Sequence, residues 1–362
     1  ILVVYFVSIS VILTSISGIF NSIFQAYEKM EYTSLSQILI SVLMFFGVVL
    51  AIKFEFNVVG FGIVYSIASF LTLIFTLIIY IIKFSVPKFE VDIHFWKPTI
   101  IEALFFGLSS FFISIYFYIS TIMISIWNGN VDVGIFSAAY RMIFVLLFIP
   151  NVVIISLFPV MSQHFESYKD LLKVEYEKTF KYLFLMAIFI LIIGYIFSDK
   201  IILLVYGNGF TNAVIVLQIL IFVIPLIFIN TLLGNLLGAS NKQRFLTIVT
   251  GLNLILNIIL NIILIPKYGY IGASITYVLT ESLGFILTFG YIYHYLVKIS
   301  IRNIILKTIL SGFIVGIIIY YIKIDMNWIV LSILGFLIYF ILLYVLNIIN
   351  KQDFELFKQI LK

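Results

Sequence analysis

Residues 329–349 read IVLSILGFLIYFILLYVLNII, a run of 21 residues without a charged side chain. A helix that crosses the hydrocarbon core of a bilayer needs about 20 mostly apolar residues, because only helices and closed barrels satisfy their own backbone hydrogen bonds in lipid. The run does not alternate between polar and apolar residues as the strands of a membrane barrel do. It therefore predicts a transmembrane helix.

Ten further stretches have the same character. Hydrophobic residues make up 64% of the chain and charged residues 10%, against roughly 45–50% and 25% in soluble domains. A soluble fold cannot bury that much apolar surface, so we predict an all-α, polytopic membrane protein with eleven spans. The predicted spans are residues 1–24, 34–52, 58–82, 99–126, 134–160, 180–198, 212–238, 246–265, 270–296, 303–322 and 327–349.

Basic residues orient these spans, because Lys and Arg are retained on the cytoplasmic side of a membrane. One set of alternating loops holds 16 of the 21 basic residues, namely Lys29, Lys83, Lys88, Lys97, Lys169, Lys173, Lys178, Lys181, Lys242, Arg244, Lys298, Arg302, Lys307, Lys351, Lys358 and Lys362. The other set holds Lys53, Lys200, Lys267 and Lys323, and Arg141 lies within a span. The asymmetry predicts a multi-pass protein of the cytoplasmic membrane whose C-terminus is cytoplasmic.

The chain begins with Ile1 inside a predicted span and, by the same asymmetry, on the outer face. A cleaved signal peptide would leave a polar start rather than a whole membrane span. We therefore expect a fragment that lacks an odd number of earlier spans, since such a number would return the N-terminus to the cytoplasm.

The charge and the reactive residues exclude several classes of function. The net charge of +5 is explained by membrane orientation and by attraction to anionic lipid head groups, so no nucleic-acid partner is predicted. The chain has no Cys, which excludes disulfides and thiol chemistry, and His94, His164 and His294 lack the spacing of metal ligands. We expect no metal site of that kind, no cofactor and no catalytic residues.

An internal repeat relates two parts of the chain. Residues 21–32, NSIFQAYEKMEY, align with residues 234–245, GNLLGASNKQRF, and NVVGFGIVYS from Asn57 aligns with GYIGASITYV from Gly269. Both copies show a span, a short basic turn, a span, a short outer turn with Gly, and another span. Because transporters are commonly built from duplicated helical bundles, the repeat predicts two homologous lobes.

Three motifs resemble the polysaccharide flippases of the multidrug/oligosaccharidyl-lipid/polysaccharide exporter superfamily. Residues 133–165, VGIFSAAYRMIFVLLFIPNVVIISLFPVMSQHF, are similar to the family pattern G-x-Y-S-x-A-Y-R followed by a proline-broken helix and F-P. The other two motifs are YGNGF from Tyr206, followed by an apolar helix that ends LLGNLLGASNKQR, and IPKYGYIGASITY from Ile265. The resemblance covers nearly the whole chain.

The resemblance implies a transporter, not an enzyme, that moves lipid-linked oligosaccharides from the cytoplasmic to the outer leaflet through a cavity between two lobes. Members have 12 or 14 helices, so three missing spans would complete fourteen. The implied organisation is residues 1–82 as the last three helices of the N-terminal lobe, 83–98 as a cytoplasmic inter-lobe loop, 99–296 as the six-helix C-terminal lobe, 297–349 as two additional helices and 350–362 as a cytoplasmic tail. The implied partners are the lipid-linked glycan, membrane lipids, and glycan polymerase or assembly proteins.

Two charged residues, Arg141 and Glu281, lie well inside the predicted spans, whereas Glu102, Lys181 and Lys307 lie near span ends. Arg141 costs about 2.5–3.5 kcal/mol in the centre of a membrane helix, so it must face a cavity or a partner. A guanidinium can grip phosphate bidentately, which favours contact with the substrate's lipid pyrophosphate, whereas a structural pair with Glu281 or a snorkelling side chain is the alternative. Glu281 lies near mid-membrane, where it could carry a coupling proton or cation, or could be a neutral hydrogen-bonding residue.

Asn253, Asn257 and Asn261 recur every four residues and share one helix face. This face could bind substrate or a cation, or could join helices by hydrogen bonds. Lipid II flippases, which the chain resembles at low similarity, place a sodium site among helices that match those of Ser120, Asn257 and Thr280. They carry an Asp where this chain has Ser120, so one ligand charge is missing here.

Proline and glycine residues mark places where helices bend or approach closely. Pro150 and Pro225 fall near the middle of their spans and predict kinks that could act as hinges. The pairs Gly234 and Gly238, and Gly312 and Gly316, are GxxxG motifs, which we assign to helix packing.

Two other classes of function compete with the flippase interpretation. A multidrug or cation antiporter of the same superfamily would share the fold. Such antiporters usually carry acidic residues in the cavity of the first lobe. A polytopic glycan polymerase or ligase needs a large outer loop with catalytic groups, or a nucleotide-sugar domain. The longest predicted outer loop, near residues 199–211, holds one acid and one base, and the chain has no P-loop, dinucleotide fingerprint or HExxH motif.

Overall fold

The structure is a computed structural model that describes residues 2–27, 29–87, 92–154, 157, 169–298, 301–322, 327–349 and 353. Within these ranges the secondary structure is helical and contains no strand. The α-helices are α1 Leu2–Ala26, α2 Met30–Lys53, α3 Val58–Lys83, α4 Ile93–Trp127, α5 Asn130–Leu146, α6 Lys169–Ile196, α7 Ser198–Tyr206, α8 Ala213–Leu220, α9 Val223–Ala239, α10 Gln243–Tyr295, α11 Arg302–Ile322 and α12 Trp328–Val345. The chain forms two compact units, Ile1–Ile93 and His94–Lys362, each described separately below.

The first unit is a bundle of α1, α2 and α3. Asn57 begins α3 as its N-cap, because its side-chain oxygen accepts from the main-chain N–H groups of Val59 and Gly60. The Ser66 hydroxyl donates to the main-chain oxygen of Phe6, 2.7 Å away, and so joins α3 to α1. Most side chains on the outer faces are apolar and exposed, as expected for helices that contact lipid.

The second unit is organised around α9. This helix is apolar on all sides and ten of its residues are buried, which is typical of a helix at the centre of a bundle. It packs against α6 and α10, while α6 also contacts α11 and α12. The Tyr339 hydroxyl of α12 donates to the main-chain oxygen of Leu185, 3.0 Å away, and fixes α12 on α6.

The 53-residue helix α10 is two helices joined by a sharp turn at Gly269. Gly269 has φ +53°, in the left-handed region that favours glycine. A Cβ at Gly272 would lie 2.4 Å from the main-chain oxygen of Leu264. Residues eight apart along a straight helix are about 12 Å apart, so this contact requires the chain to double back as a hairpin.

The helices long and apolar enough to span a membrane agree with the predicted count. The described residues contain nine such helices, and the bent pair α8 and α9 makes a tenth. Division of α10 at Gly269 adds an eleventh. The prediction of an all-α polytopic membrane protein is therefore confirmed.

The structure differs from the prediction around α6 and α7. The predicted span 180–198 is instead the end of a helix that begins at Lys169. Leu172, Tyr176 and Phe180 are buried at four-residue spacing, so the apolar stripe of the charged segment continues into the span without a break. The predicted outer loop contains α7, which buries Ile202, ends at Tyr206 and is followed by Gly207 with φ +75°.

The two predicted proline kinks coincide with helix breaks. The axes of α8 and α9 differ by 44° at the break before Pro225. The regular helix of α5 ends at Leu146, and a helical continuation at 148–154 contains Pro150. Proline lacks the N–H that would bond the carbonyl four residues earlier, which accounts for both breaks. Movement at either position remains a prediction.

The two GxxxG pairs have different surroundings. A Cβ at Gly312 would lie 2.7 Å from side-chain atoms of Ile188 and Ile192, so α11 packs closely on α6 and the assignment to packing is confirmed. Gly234 and Gly238 line a cavity. A Cβ at Gly234 would lie 3.7 Å from a side-chain atom of Leu246, so the approach there is looser and the assignment of this pair to packing stays a prediction.

Candidate functional site

The second unit contains a cavity of about 900 Å³ formed by α4, the end of α5, α9 and both halves of α10. Its wall is apolar and aromatic with a minority of polar side chains, the usual character of a small-molecule site. The aromatic residues are Tyr116, Phe117, Phe144, Phe148 and Tyr277, and the polar or charged ones are Asn151, Asn230, Thr231, Asn235, Thr250, Asn253, Glu281 and Thr288.

Glu281 is the one carboxylate among the described residues that line the cavity. Asn230 of α9 donates through Nδ2 to Glu281 Oε2, 2.8 Å away, and to the Glu281 main-chain oxygen, 3.1 Å away. Glu281 forms no ion pair with any described residue. The carboxyl group therefore has two neutral hydrogen-bond partners, the Asn230 amide and the Tyr116 hydroxyl, and no described base beside it.

Asn253 lies beside this pair because Gly284 leaves room for it. A Cβ at Gly284 would lie 2.5 Å from Asn253 Nδ2 and 3.5 Å from Asn230 Nδ2. The side-chain oxygens of both amides are buried without a hydrogen-bond partner among the described residues. Buried unpaired oxygens are rare in folded proteins, so their presence in a cavity wall indicates a place where a ligand can bind.

Arg141 has an exposed side chain on α5. It lies three, four and seven residues before Phe144, Val145 and Phe148, which line the cavity, so it shares their helix face. The structure contains no ion pair between Arg141 and Glu281, although both residues are described. Arg141 therefore shares a helix face with cavity-lining residues but is not itself among them, and it does not form the structural pair considered from the sequence.

Asn257 and Asn261 occupy a different environment from Asn253. Asn261 Nδ2 donates to Ser120 Oγ, 2.9 Å away, and to Asn257 Oδ1, 2.8 Å away. Both Asn residues have no exposed surface, and Ser120 is 3% exposed. These three side chains, the sealed cluster, join α4 to α10 and do not line the cavity.

The residues that match the sodium site of lipid II flippases do not fit a sodium ion here. The Asn261 amide already places an N–H donor between the oxygens of Ser120 and Asn257. The Thr280 hydroxyl bonds Tyr116 and main-chain carbonyls of its own helix. This set also contains no carboxylate to balance a cation.

The sequence analysis did not single out Asn230 and Tyr116. Asn230 lies five residues after Pro225 in an otherwise apolar span, and a polar residue in that setting is a recognisable signal. Tyr116 carries no such signal, since tyrosine is frequent in this chain. Its position became informative only when its hydroxyl was found 2.8 Å from Thr280 Oγ1.

Comparison with known families agrees with these observations. A model of polysaccharide biosynthesis proteins matches residues 1–165, and the MatE model matches residues 106–263. The chain belongs to the multidrug/oligosaccharidyl-lipid/polysaccharide exporter superfamily. The two matches overlap over residues 106–165, which include most of α4 and all of α5 on one side of the cavity.

Solved structures of similar fold include a lipid II flippase and two MATE structures. "Lipid II flippase MurJ, inward closed conformation" aligns with a TM-score of 0.76 and 20% identity over 95% of this chain and 73% of that chain. A MATE structure in complex with MaL6 aligns with a TM-score of 0.63 and 15% identity over 78% of this chain and 67% of that chain. A MATE structure in the bent conformation aligns with a TM-score of 0.63 and 16% identity over 79% of this chain and 67% of that chain. At these identities the likeness concerns the fold.

One curated protein similar to this chain is an uncharacterised membrane protein of Methanocaldococcus jannaschii. It is 25% identical over 308 residues, which are 82% of this chain and 58% of that protein. The chain thus spans less than two thirds of the length of the relative that it matches.

Proposed function

We propose that the chain is the main part of a flippase that moves lipid-linked oligosaccharide or polysaccharide precursors from the cytoplasmic to the outer leaflet by alternating access of two lobes. The observation that carries the proposal is the large, mainly apolar cavity with Arg141 on the adjoining face of α5. An apolar wall suits a polyprenyl or acyl chain, and a guanidinium suits the phosphate that links it to a glycan.

The position of the cavity favours loading from the cytoplasm. Gly238 and Leu246 line it and flank the turn at Lys242, and Arg244 follows in the first turn of α10. That turn belongs to the loops predicted to be cytoplasmic from their basic residues. Residues 1–82 and 99–296 would then be the two lobes, in a multi-pass protein of the cytoplasmic membrane.

The test uses cells that lack their own lipid-linked oligosaccharide flippase. The full-length protein should restore surface polysaccharide, and Arg141→Gln or Arg141→Ala should abolish the restoration without loss of protein. Arg141→Lys should retain part of it, because Lys keeps the charge but loses the bidentate geometry. Arg302→Gln, which removes an exposed arginine in the first turn of α11, is the matched control and should restore fully.

A double variant separates a substrate role of Arg141 from a structural role. If Arg141→Gln lowers the amount of folded protein, and Glu281→Gln added to it restores both folding and transport, then Arg141 balances Glu281 and does not bind substrate. The structure supports the substrate role because Asn230, not Arg141, holds the Glu281 carboxylate.

A multidrug or cation antiporter is the second candidate. The observation that favours it is the Glu281 carboxylate in a wall of aromatic side chains, an arrangement suited to organic cations. Failure to restore any of several glycans, together with resistance to cationic drugs that is lost in Glu281→Gln, would favour this candidate over the flippase. Glycan polymerases or assembly proteins would be partners of the flippase alone.

A further inference from the structure

A second, smaller pocket opens at the surface of the second unit, between α6, α8 and the second half of α10. Its volume is about 310 Å³, and no described residue lines both this pocket and the cavity. Tyr195, Phe222 and Leu279 line it and are 45%, 48% and 46% exposed. Because these residues belong to membrane spans, the medium outside this pocket, the lateral groove, is lipid.

The wall of the lateral groove is mainly apolar. Ile275, Val278 and Leu279 have the spacing of one helix face on α10. Phe222 lies in the break between α8 and α9 and packs edge-on against Tyr195, with ring centroids 5.7 Å apart. A helix with its side chains is about 10–12 Å wide, so a groove of this volume suits a single flexible hydrocarbon chain better than a helix of another protein.

Gln218 is the one amide among the described residues that line the lateral groove. It is half-buried and forms no side-chain hydrogen bond with a described residue. An amide that faces hydrocarbon without a partner is costly, because no water is present to replace the missing hydrogen bonds. An occupant that complements this wall therefore combines an apolar chain with a hydrogen-bonding group at Gln218.

The depth of Gln218 indicates which group of a lipid would meet it. Gln218 lies five residues after Ala213, the first residue of α8, which is about 7.5 Å along the helix axis. Ile275 lies a similar distance from the turn at Gly269, and Tyr195 is one residue from the end of α6. The interfacial layer on each side of the hydrocarbon core is about 5–8 Å thick. Gln218 thus lies where head groups meet chains, at the surface predicted to be the outer one.

We propose that the lateral groove binds one acyl chain of a diacyl phospholipid, with the Gln218 amide donating to the ester carbonyl at the top of that chain. The apolar wall complements the chain, and an amide N–H complements a carbonyl acceptor, which has no proton of its own to donate. The depth of Gln218 is that of the ester groups. This inference concerns the protein and its bilayer, and it holds whichever substrate the cavity takes.

The experiment compares two lipids that differ in the ester carbonyl. The full-length protein is placed in nanodiscs of dialkyl phosphatidylcholine, which has ether linkages, and diacyl phosphatidylcholine with a diazirine on one chain replaces it stepwise. After illumination, peptide mass mapping measures the labelling of groove residues. One hydrogen bond should give about a five-fold preference for the diacyl lipid, so labelling should reach half its maximum at a mole fraction of about one sixth.

Two controls define labelling without preference. The same diazirine probe with ether linkages should label the groove in proportion to its mole fraction, with half the maximum at about one half, because it lacks the carbonyl. The diacyl probe should label Ile286, an exposed residue outside the groove on the same half of α10, in the same proportional way.

Variants identify the contacts. Gln218→Leu should make groove labelling by the diacyl probe proportional, while Gln37→Leu, the same change at an exposed position of α2, should keep the five-fold preference. Val278→Trp fills the groove and should remove groove labelling at every mole fraction. Ile286→Trp adds the same bulk outside the groove and should leave the labelling unchanged.

Three results would overturn the proposal. They are proportional labelling of the groove in the wild-type protein, an undiminished preference in Gln218→Leu, and undiminished labelling in Val278→Trp. Disulfide-linked dimers of Ile215→Cys in this cysteine-free chain, together with proportional labelling, would show that a second copy covers the groove instead. If Val278→Trp does not fold, the comparison of Gln218→Leu with Gln37→Leu decides the question.

Discussion

The sealed cluster and the cavity cluster, which consists of Asn230, Asn253 and Glu281, both contain asparagine side chains from the first half of α10. Asn253, Asn257 and Asn261 follow each other at four-residue spacing on one face of α10. Two of them are closed off with Ser120, and the third lies beside Asn230 and Glu281 in the wall of a 900 Å³ cavity. The comparison shows that the neighbouring helices, not the residue type, decide whether an amide joins helices or faces a ligand.

The two clusters also differ in charge. The sealed cluster is neutral, and each of its three side chains takes part in a hydrogen bond within it. The cavity cluster has one carboxylate and two oxygens without a described partner. Each cluster has two buried amide atoms without a described partner, namely Asn257 Nδ2 and Asn261 Oδ1 in the sealed cluster, and Asn230 Oδ1 and Asn253 Oδ1 in the cavity cluster. The carboxylate and the position in the cavity wall therefore distinguish the second cluster from the first.

The largest expected effect is that of a charge placed in the sealed cluster. Asn261→Asp keeps the size of the side chain but removes the donor to Ser120 and Asn257 and adds an unpaired negative charge. It should lower the free energy of unfolding by about 3–5 kcal/mol, as the breaking of buried charge compensation does. Thermal unfolding in nanodiscs measures this loss. Asn253→Asp, the same change at the cavity wall, should cost much less; equal losses would remove the distinction between the clusters.

A smaller loss is expected where the hairpin brings its two halves together. A Cβ at Gly272 would lie 2.4 Å from the Leu264 main-chain oxygen, which cannot move aside as a side chain can. Gly272→Ala should therefore lower the free energy of unfolding by about 1–3 kcal/mol. Gly290→Ala is the control on the same half of α10, since a Cβ there meets nothing within 4 Å. It should be neutral or slightly stabilising, and a loss equal to that of Gly272→Ala would contradict the tight turn.

Alanine at two positions of the same helix face should separate stability from transport. Asn261→Ala removes the donor shared by Ser120 and Asn257 and should cost about 1–3 kcal/mol of unfolding free energy. Asn253→Ala, which removes an amide oxygen without a described partner, should change stability by no more than about 0.5 kcal/mol. In the polysaccharide assay Asn253→Ala should be impaired at normal protein levels. The reverse pattern would exchange the roles of the two clusters.

The prediction with the smallest expected effect on the protein concerns the side of the membrane to which the cavity opens. The chain has no cysteine, so single cysteines at Lys173 and Asn208 can be labelled in intact cells. An impermeant thiol reagent added outside should label Asn208→Cys and spare Lys173→Cys, with no effect on stability. Labelling of Lys173→Cys alone would reverse the predicted orientation and place the turn at Lys242 outside.

Apolar segment length and basic loops predicted much of the architecture. The all-α membrane fold and its eleven spans were predictable because a lipid environment requires long apolar helices that satisfy their own backbone. The kink at Pro225 was equally predictable, since proline lacks the N–H that a regular helix needs. The start of α6 at Lys169 was missed because an amphipathic charged segment and an apolar span can form one continuous helix.

The roles of individual polar residues required the tertiary structure. The sequence alone determined that Asn253, Asn257, Asn261 and Glu281 lie within membrane spans and that the three amides share a face, because helical periodicity is a local property. Only the tertiary structure showed that Asn230 donates to Glu281, that Asn253 packs against Gly284, and that Asn261 donates to Ser120. These contacts join residues tens to more than a hundred positions apart in the sequence. The packing of α4, α9 and α10 brings them together, and no local sequence pattern encodes that packing.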